Sequence, residues 1–426
     1  MIRRLVLALL LLVAGFAGAV WLFNFASRSG VHESPPRMPP APDQVARGAY
    51  LARVGNCMLC HTERGGAAYA GGRPVQTPFG AVYASNITPD AETGIGRWSA
   101  AHFRRALHEG RSRDGRLLYP AFPYTHTTRA TGADTDALFD YLRSLPPASK
   151  PNRPHRLRWP YNTQAALAAW RLLYFRPERH VGDATRSVEW NRGAYLVQGL
   201  AHCGACHTAR NALGGTRDVL DLSGGLIPMQ NWYAPSLASP AEAGVAQWPL
   251  PDIVQLLATG RAPRGTVLGP MAEVVLHSTQ YLDPGDLRAM AVYLKSLPPA
   301  STDNDPREVP KPSARVLERG GKIYAQQCAG CHGDQGEGVP GAYPRLAGNR
   351  AITMPQTTNL VQAVLHGGYP PATRGNPRPF GMPPFATVLP DADVAAVLTY
   401  IRTAWNNGAA PVSELDVSRQ RSSLRE

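Results

Sequence analysis

The stretch Cys57-Met58-Leu59-Cys60-His61 sets the pattern on which the rest of the chain is built. The same spacing, two cysteines followed directly by a histidine, returns at Cys203-Gly204-Ala205-Cys206-His207 and at Cys328-Ala329-Gly330-Cys331-His332. All six cysteines of the chain fall within these three copies, so none is left for a structural disulfide. Any chemistry that needs a thiol must therefore take place at these three motifs.

This spacing is typical of the covalent attachment of a c-type haem, in which two thiols form thioether bonds to the porphyrin and the adjacent histidine ligates the iron. Structural zinc requires four ligands, usually from paired Cys-x-x-Cys units, and three motifs that each end in histidine do not pair. A thioredoxin-type redox pair requires a βαβ context, and we expect no strand-rich segment beside any motif. The sequence therefore predicts three covalently bound haems, and their attachment residues are Cys57, Cys60, Cys203, Cys206, Cys328 and Cys331, with His61, His207 and His332 as iron ligands.

Length and charge narrow the class of protein further. The 426 residues exceed one ordinary domain and agree with about three domains of typical size. The net charge of +13 is compatible with nucleic acid, anionic lipid or an acidic protein partner. No helix-turn-helix, zinc-finger or base-stacking pattern is present, so we predict no nucleic-acid binding.

The N-terminus carries an almost wholly apolar run from Leu5 to Phe25, preceded by Arg3 and Arg4. About 20 apolar residues span a bilayer, and the preceding positive charges hold the N-terminus in the cytoplasm. A cleaved signal peptide is the competing interpretation, since Ala17-Gly18-Ala19 resembles a cleavage site. The length of the run favours a retained anchor in the inner membrane, and either interpretation places the haems on the periplasmic side.

Similar segments open and close each of three long repeats. Each repeat starts with Arg-Gly, at Arg47-Gly48, Arg192-Gly193 and Arg319-Gly320, where the glycine would let another helix approach closely. Each ends in an amphipathic helical pattern. We predict an all-α fold of three tandem c-type cytochrome domains after an N-terminal transmembrane anchor. The predicted boundaries are 1–30 for the anchor or signal segment, 31–43 for a Pro-rich spacer, 44–147, 186–299 and 313–408 for the domains, 148–185 and 300–312 for linkers, and 409–426 for a polar C-terminal tail.

Four other stretches carry a family resemblance, namely Ser85-Asn86-Ile87-Thr88-Pro89-Asp90, Thr93-Gly94-Ile95-Gly96-Arg97-Trp98, Trp232-Tyr233-Ala234-Pro235-Ser236-Leu237 and Gly381-Met382-Pro383-Pro384-Phe385. With the three motifs, they make residues 46–406 resemble the tri-haem cytochrome c subunits of bacterial membrane-bound dehydrogenases. That family includes the cytochrome subunits of alcohol dehydrogenase and gluconate 2-dehydrogenase, with relatives that serve molybdenum-containing aldehyde and N-heterocycle dehydrogenases.

The resemblance implies electron transfer from a catalytic dehydrogenase subunit of the pyrroloquinoline quinone, flavin or molybdenum type to membrane quinone or a terminal oxidase. No acid–base pair or activated nucleophile in the sequence indicates a substrate of the chain's own, so we expect a non-catalytic electron-transfer subunit. Two alternatives stay open. One is a haem enzyme with ligand or peroxide chemistry at an open first haem, and the other is a cytochrome subunit of a terminal oxidase.

A methionine on the far side of the haem raises its potential, and we expect it in the loop before the closing helix. Met271 in the second repeat and Met382 in the third stand in such loops. We expect Met229 and Met354 to pack in the interior instead.

The first repeat lacks a methionine at this place. The family's usual Tyr-Pro-Ala-Met-Pro-Tyr is here Tyr119-Pro120-Ala121-Phe122-Pro123-Tyr124, so Phe122 takes the position of the ligand. His126 is the nearest residue that could replace it, because imidazole is a good iron ligand. In the sequence, however, His126-Thr127-Thr128 also aligns with His277-Ser278-Thr279 of the second repeat, which already has Met271. The first haem thus has a different sixth ligand or none.

Overall fold

The computed structural model describes residues 1–26, 40–300 and 310–422. Contacts group the chain into two compact units. The first contains Met1–Gly182 with Val197–Ala205 and Arg210–Val219, and the second contains Asp183–Leu196, Cys206–Ala209 and the residues from Leu220 onward. This grouping differs from the predicted three tandem domains, because segments on both sides of the second cysteine motif pack within the first unit.

Helix α1 (Ile2–Trp21) coincides with the predicted anchor and continues into one π-helical turn, Leu22–Ala26. In the described part of the chain, Ile2–Phe25 is the helical stretch long and apolar enough to cross a membrane, with a mean hydropathy of 2.6. None of the α1 side chains is buried. Most of the predicted Pro-rich spacer and of the predicted linker at 300–312 lies outside the described residues.

The first unit is mainly helical around one small sheet. After α1 its helices are α2 (Pro42–Val54), α3 (Cys57–Cys60), α4 (Ala100–Glu109), α5 (Tyr124–Thr127), α6 (Gly132–Ser144) and α7 (Gln164–Tyr174). Its strands β1 (Pro74–Thr77), β2 (Gly80–Tyr83) and β3 (Arg156–Leu157) form an antiparallel sheet in that order, with Val75 opposite Val82 and Gly80 opposite Leu157. Helices α4, α6 and α7 begin at Ser99, Thr131 and Thr163, whose side-chain oxygens accept backbone N–H groups of the first turn.

The chain crosses between the units within α8 (Val188–Gln198) and α9 (Gly204–His207). The remaining helices of the second unit are α10 (Leu250–Thr259), α11 (Pro270–His277), α12 (Pro284–Lys295), α13 (Ala314–Gln327), α14 (Ala329–His332), α15 (Arg350–Thr353), α16 (Thr358–His366), α17 (Asp391–Thr403) and α18 (Glu414–Ser422), with a 3-10 turn at Thr279–Tyr281. Two hairpins complete it, β4 (Gly225–Ile227) with β5 (Trp232–Ala234) and β6 (Arg261–Ala262) with β7 (Gly265–Thr266).

One helix crossing occurs three times, and it confirms the expectation drawn from the Arg-Gly pairs. Gly48 of α2, Gly193 of α8 and Gly320 of α13 face the carbonyl oxygens of Ala137, Ala289 and Ala396 so closely that a methyl group on any of these glycines would overlap the oxygen. Glycine is thus required for the backbones to approach. The helix before each cysteine motif is held in this way against the closing helix, α6, α12 or α17.

An ion pair accompanies each crossing. The arginine before the glycine pairs with an aspartate three residues before the contacted alanine, and the pairs are Arg47–Asp134, Arg192–Asp286 and Arg319–Asp393. Aspartate in the first turn of a helix also interacts favourably with the positive end of the helix dipole. The three crossings therefore share both their packing and their polar contact.

The structure contains three features that the prediction did not name. Short antiparallel hairpins follow the first and second motifs, beside which we expected no strand-rich segment. The predicted linker at 148–185 contains β3 and α7, which belong to the first unit. The predicted polar tail contains α18, and its Val417 is fully buried in a cluster with Leu398 and Val361. The hairpins and α18 have few apolar residues of their own, so no hydrophobic period in the sequence indicates them.

Candidate haem attachment sites

The three motifs form short helical turns that follow directly on a longer helix. Their cysteines form no disulfide, and the described residues contain no group of three or more His, Cys, Asp or Glu side chains that could hold a metal ion. In the first two motifs the residue before the first cysteine has left-handed backbone, with φ of 49° at Asn56 and 40° at His202. This left-handed residue lies between the preceding helix and the helical turn of the motif.

Each motif histidine is oriented by a backbone carbonyl. The Nδ1 atoms of His61, His207 and His332 lie 2.7, 2.7 and 2.9 Å from the carbonyl oxygens of Ser85, Pro235 and Pro344, respectively. A proton on Nδ1 satisfies this bond and leaves the Nε2 lone pair for a metal, which is the usual arrangement around a metal-bound histidine. Burial lowers the pKa of each imidazole and so favours the neutral form that ligates iron, although the carbonyl contact opposes this effect.

In all three sites, a glycine allows the backbone segment whose carbonyl contacts Nδ1 to lie close to the motif histidine. The N–H groups of Gly71, Gly224 and Gly338 each donate to the carbonyl of the motif histidine at 2.8 Å. Their φ angles are 70°, 83° and 67°, and a side chain on any of them would collide with the segment that carries the Nδ1 partner. Left-handed backbone and close approach both require glycine. Sequence reasoning missed these residues, because their distances from the motifs differ between repeats.

The cysteine environments fit a thioether better than a thiolate. Burial raises the pKa of Cys57 to about 12 and that of Cys328 to about 11, and the neighbouring cysteine of each motif adds to the effect. A zinc site would need these thiols deprotonated. A thioether carries no charge and can be buried without this cost. The thiols and the oriented imidazoles thus fit covalent haem c with iron.

The sequence placed a methionine ligand in the second and third repeats. Met271 is partly buried in the first turn of α11, next to Gly269, which packs against the Trp232 ring. Met382 is partly buried and lines a cavity of about 530 Å³ with His366, Tyr369 and Pro383. Of the two methionines expected to pack, Met354 is buried, whereas Met229 is 58% exposed, so the interpretation of Met229 was wrong. Met229 lies in a tight turn with φ of 60° that projects its side chain to solvent.

Backbone contacts show which residue of the first repeat corresponds to Met271. The N–H of Leu118 donates to the carbonyl of Gly110, which ends α4, and the N–H of Val267 donates to the carbonyl of Gly260, which ends α10. Phe122 and Met271 each follow four residues after this bond. The alignment of Phe122 with Met271 is therefore confirmed, and the first repeat has a partly buried phenylalanine where the second has a thioether.

The alignment of His126 with His277 is wrong by one residue. Thr127 donates its hydroxyl to the carbonyl of Leu107, and Thr279 donates to the carbonyl of Leu257, and both leucines lie three residues before the helix-ending glycine. His126 thus corresponds to the buried Ser278. The two repeats differ here because three additional residues separate Met271 from Thr279, compared with Phe122 and Thr127.

His126 is well buried and has an unused ring nitrogen. It is 3% exposed, its Nδ1 contacts the Thr125 hydroxyl at 3.1 Å, and its Nε2 has no hydrogen-bond partner among the described residues. Burial lowers its pKa to about 3, and the nearby His202, Arg129 and Arg210 contribute in the same direction. A neutral imidazole with a free lone pair is what iron ligation requires.

The chain shares its pattern with proteins of known type. A family model described as Cytochrome c matches residues 45–146 and 317–405. The cytochrome c subunit of alcohol dehydrogenase (quinone) from Gluconacetobacter polyoxogenes is 38% identical over 393 residues, which cover 88% of this chain and 84% of that protein. The gluconate 2-dehydrogenase cytochrome c subunit from Pantoea cypripedii is 36% identical over 395 residues, covering 88% of this chain and 89% of that protein.

A third relative shows the same segment within a longer protein. A nicotinate dehydrogenase subunit from Pseudomonas putida is 40% identical over 363 residues, which are 84% of this chain but 30% of that protein. The first two relatives, in contrast, match over most of both chains. With this coverage and the attachment geometry described above, the chain belongs to the family of dehydrogenase cytochrome c subunits.

Proposed function

We propose that this chain carries three covalent c-type haems and passes electrons from a catalytic dehydrogenase subunit on the periplasmic side to membrane quinone or a terminal oxidase. The observation that carries the proposal is the threefold repetition of the attachment geometry, in which each motif histidine donates Nδ1–H to a backbone carbonyl. The dehydrogenase cytochrome subunits among its relatives support the electron-transfer role.

The chain's own residues would set the environment of each redox centre. When bound, haem iron supplies the one-electron chemistry, and the protein tunes it through the axial ligands and burial. The oriented imidazoles of His61, His207 and His332 would each ligate the iron of one haem. Met271 and Met382 would supply the sixth ligands of the second and third sites and raise their potentials.

Helix α1 supports a membrane-attached subunit. It is apolar, unburied and carries Arg3 and Arg4 in its first turn, so a retained helix would hold the haem-bearing units at the periplasmic surface of the inner membrane. This position is suited to electron delivery to quinone. The relatives serve different dehydrogenases, so the partner's cofactor is left as pyrroloquinoline quinone, flavin or molybdenum.

For the first site we propose His126 as the sixth ligand in place of the missing methionine. The support is its burial, its unpartnered Nε2 and its position four residues after Phe122. His126→Ala should turn the low-spin first haem into a high-spin one that binds carbon monoxide. His102→Ala is the matched control, because His102 is a helix-capping residue bound to Ser99 in the same unit. An unchanged spectrum in His126→Ala would refute the ligand assignment.

The Phe122 substitution supports a second candidate function, in which the first haem is five-coordinate and reacts with a small ligand or peroxide. Rapid carbon monoxide or cyanide binding by the unmodified protein would favour it. Full six-coordination would exclude it and leave electron transfer alone.

The deciding experiment is a potentiometric titration of the purified protein, followed by optical and electron paramagnetic resonance spectra, with haem quantified per chain. We expect three haems, two at high potential and one lower. Fewer than three would overturn the proposed count. Co-purification then identifies the partner, since a dehydrogenase subunit supports the proposal and a copper-haem oxidase would replace it by the terminal-oxidase alternative.

A further inference from the structure

The residue before the second cysteine motif contacts the residues before the first. His202, which directly precedes Cys203, has its Nε2 atom 3.3 Å from the carbonyl oxygen of Gly55. Gly55 lies two residues before Cys57, and both Gly55 and His202 belong to the first unit. A hydrogen bond therefore links the two attachment segments next to their first cysteines.

The packing around this bond is close. A methyl group built on Gly55 would lie 3.3 Å from Cys57 Sγ and 3.6 Å from the carbonyl oxygen of Leu200. Gly55 is thus in contact distance of its own cysteine and of the second attachment segment at once. Larger side chains at this position would push the two segments apart.

The two segments also share one local conformation. Asn56 and His202 both have left-handed φ angles, of 49° and 40°. The N–H of each bonds to the carbonyl three residues earlier, and each carbonyl accepts the N–H three residues later. In the third motif Cys328 has φ of −120° and ends α13 directly, so this turn is specific to the first two sites among those described.

We infer that His202 is a positioning residue that holds the attachment sites of the first and second haems together as an electron-exchanging pair. This inference rests on the proposed function, because it needs haems at both motifs. When bound, the two haems would exchange single electrons, and His202 would fix the distance between the backbone segments that carry Cys57 and Cys203. No covalent bond changes and no proton moves.

The His202 side chain suits this role for a physical reason. In the tautomer protonated at Nε2 it donates to the Gly55 carbonyl, and burial lowers its pKa, so the neutral ring is favoured. A rigid ring with two side-chain torsions fixes the distance between the segments better than a flexible chain. The path from Cys57 to Cys203 then runs through two residues, one hydrogen bond and the ring.

The test compares His202→Asn with His202→Gln in the full holo-protein. Asparagine tolerates left-handed backbone but is too short to reach Gly55, whereas glutamine retains a donor at similar reach. After rapid partial reduction, electron equilibration between the first two haems should slow severalfold in His202→Asn, since the distance between the two attachment segments would no longer be fixed. His202→Gln should restore most of the rate.

The matched control is Gln327→Asn, at the exposed residue that directly precedes Cys328. Equal slowing in this control, or an unchanged rate in His202→Asn with full haem content, would overturn the inference. Should His202→Asn fail to mature, pulsed electron paramagnetic resonance of the wild type decides, because the first two irons must show strong mutual relaxation. Magnetically isolated irons would overturn the inference even with three haems present, whereas a haem count below three would overturn the proposed function instead.

Discussion

At the residue scale, the difference between Phe122 and Met271 is the sharpest contrast between the repeats. The two residues occupy equivalent places after α4 and α10, yet one is an apolar ring and the other the proposed iron ligand. The sequence alone identified this difference, because a long gap without methionine is visible in the letters. It did not identify which residue corresponds to Ser278, since an insertion of three residues is invisible without the threonine contacts.

Met271→Phe should therefore remove the sixth ligand of the second site, because the second repeat has Ser278, and not a histidine, at the place of His126. Because a thioether raises haem potential, we expect the potential of the second haem to fall and its iron to become accessible to carbon monoxide. Potentiometric titration and carbon monoxide difference spectra measure both effects. Met229→Phe is the control, since the exposed Met229 should have no influence. An unaltered second haem in Met271→Phe would exclude Met271 as its ligand.

At the element scale, the helix crossing before each motif is the most tightly specified feature. Gly193→Ala should destabilise the second unit by about 1–3 kcal/mol, because its methyl group would overlap the Ala289 carbonyl and force α8 away from α12. The measurement is the midpoint of urea unfolding followed by haem absorption. Gly285→Ala, in the first turn of α12, meets nothing within 4 Å and should leave the midpoint unchanged or slightly higher.

The crossing also shows how far the sequence could predict the fold. Helical periodicity and the repeated Arg-Gly pairs were sufficient for the opening and closing helices, since both signals are local. The partner of each arginine was not predictable, because Asp134, Asp286 and Asp393 lie far along the chain. The hairpins and α18 were missed for a related reason: tertiary contacts such as those of Val417 stabilise them, rather than a pattern of their own.

Two basic residues of the predicted linker 148–185 form ion pairs with a glutamate next to the first motif, and the contribution of this glutamate's charge to stability can be tested. Lys150 and Arg153 both contact Glu63, two residues after His61, and the Lys150 bond is the main cause that holds the pKa of Glu63 below its usual range. A lowered folded-state pKa contributes stability above the ordinary carboxyl pKa, and this contribution disappears as pH falls through the lowered value.

Glu63→Gln should thus lower the urea midpoint of the first unit at neutral pH, and the difference from wild type should vanish in acid below the folded pKa. Glu92→Gln is the control, since its ion pair with Arg97 is exposed on both sides and contributes little. A difference that persists unchanged into acid would show that Glu63 acts through packing and not through its charge.

At the scale of the whole molecule, the apolar helix α1 is joined to the first unit by side-chain contacts just past its end. Asn24, just past α1, is 3% exposed, and its amide donates to the carbonyls of Val20 and Ala168 at 3.0 Å. The equally buried Arg171 of α7 donates Nε–H to Asn24 Oδ1 at 3.0 Å and stacks on Phe175. The orientation of α1 relative to α7 is therefore fixed by a buried polar contact.

Asn24→Leu tests whether the contact between Asn24 and α7 fixes α1 to the first unit. The substitution would leave Nε of the buried Arg171 without its acceptor, which costs about 1–3 kcal/mol for a buried group left unpaired. We expect a lower thermal midpoint and faster proteolysis between anchor and body in detergent-solubilised holo-protein. Asn162→Leu, at an exposed position of the same unit, should change neither. If both variants behaved alike, the anchor would be a tether and its distance to the first haem would vary. If only Asn24→Leu has an effect, the anchor holds the first attachment site at a set height above the membrane.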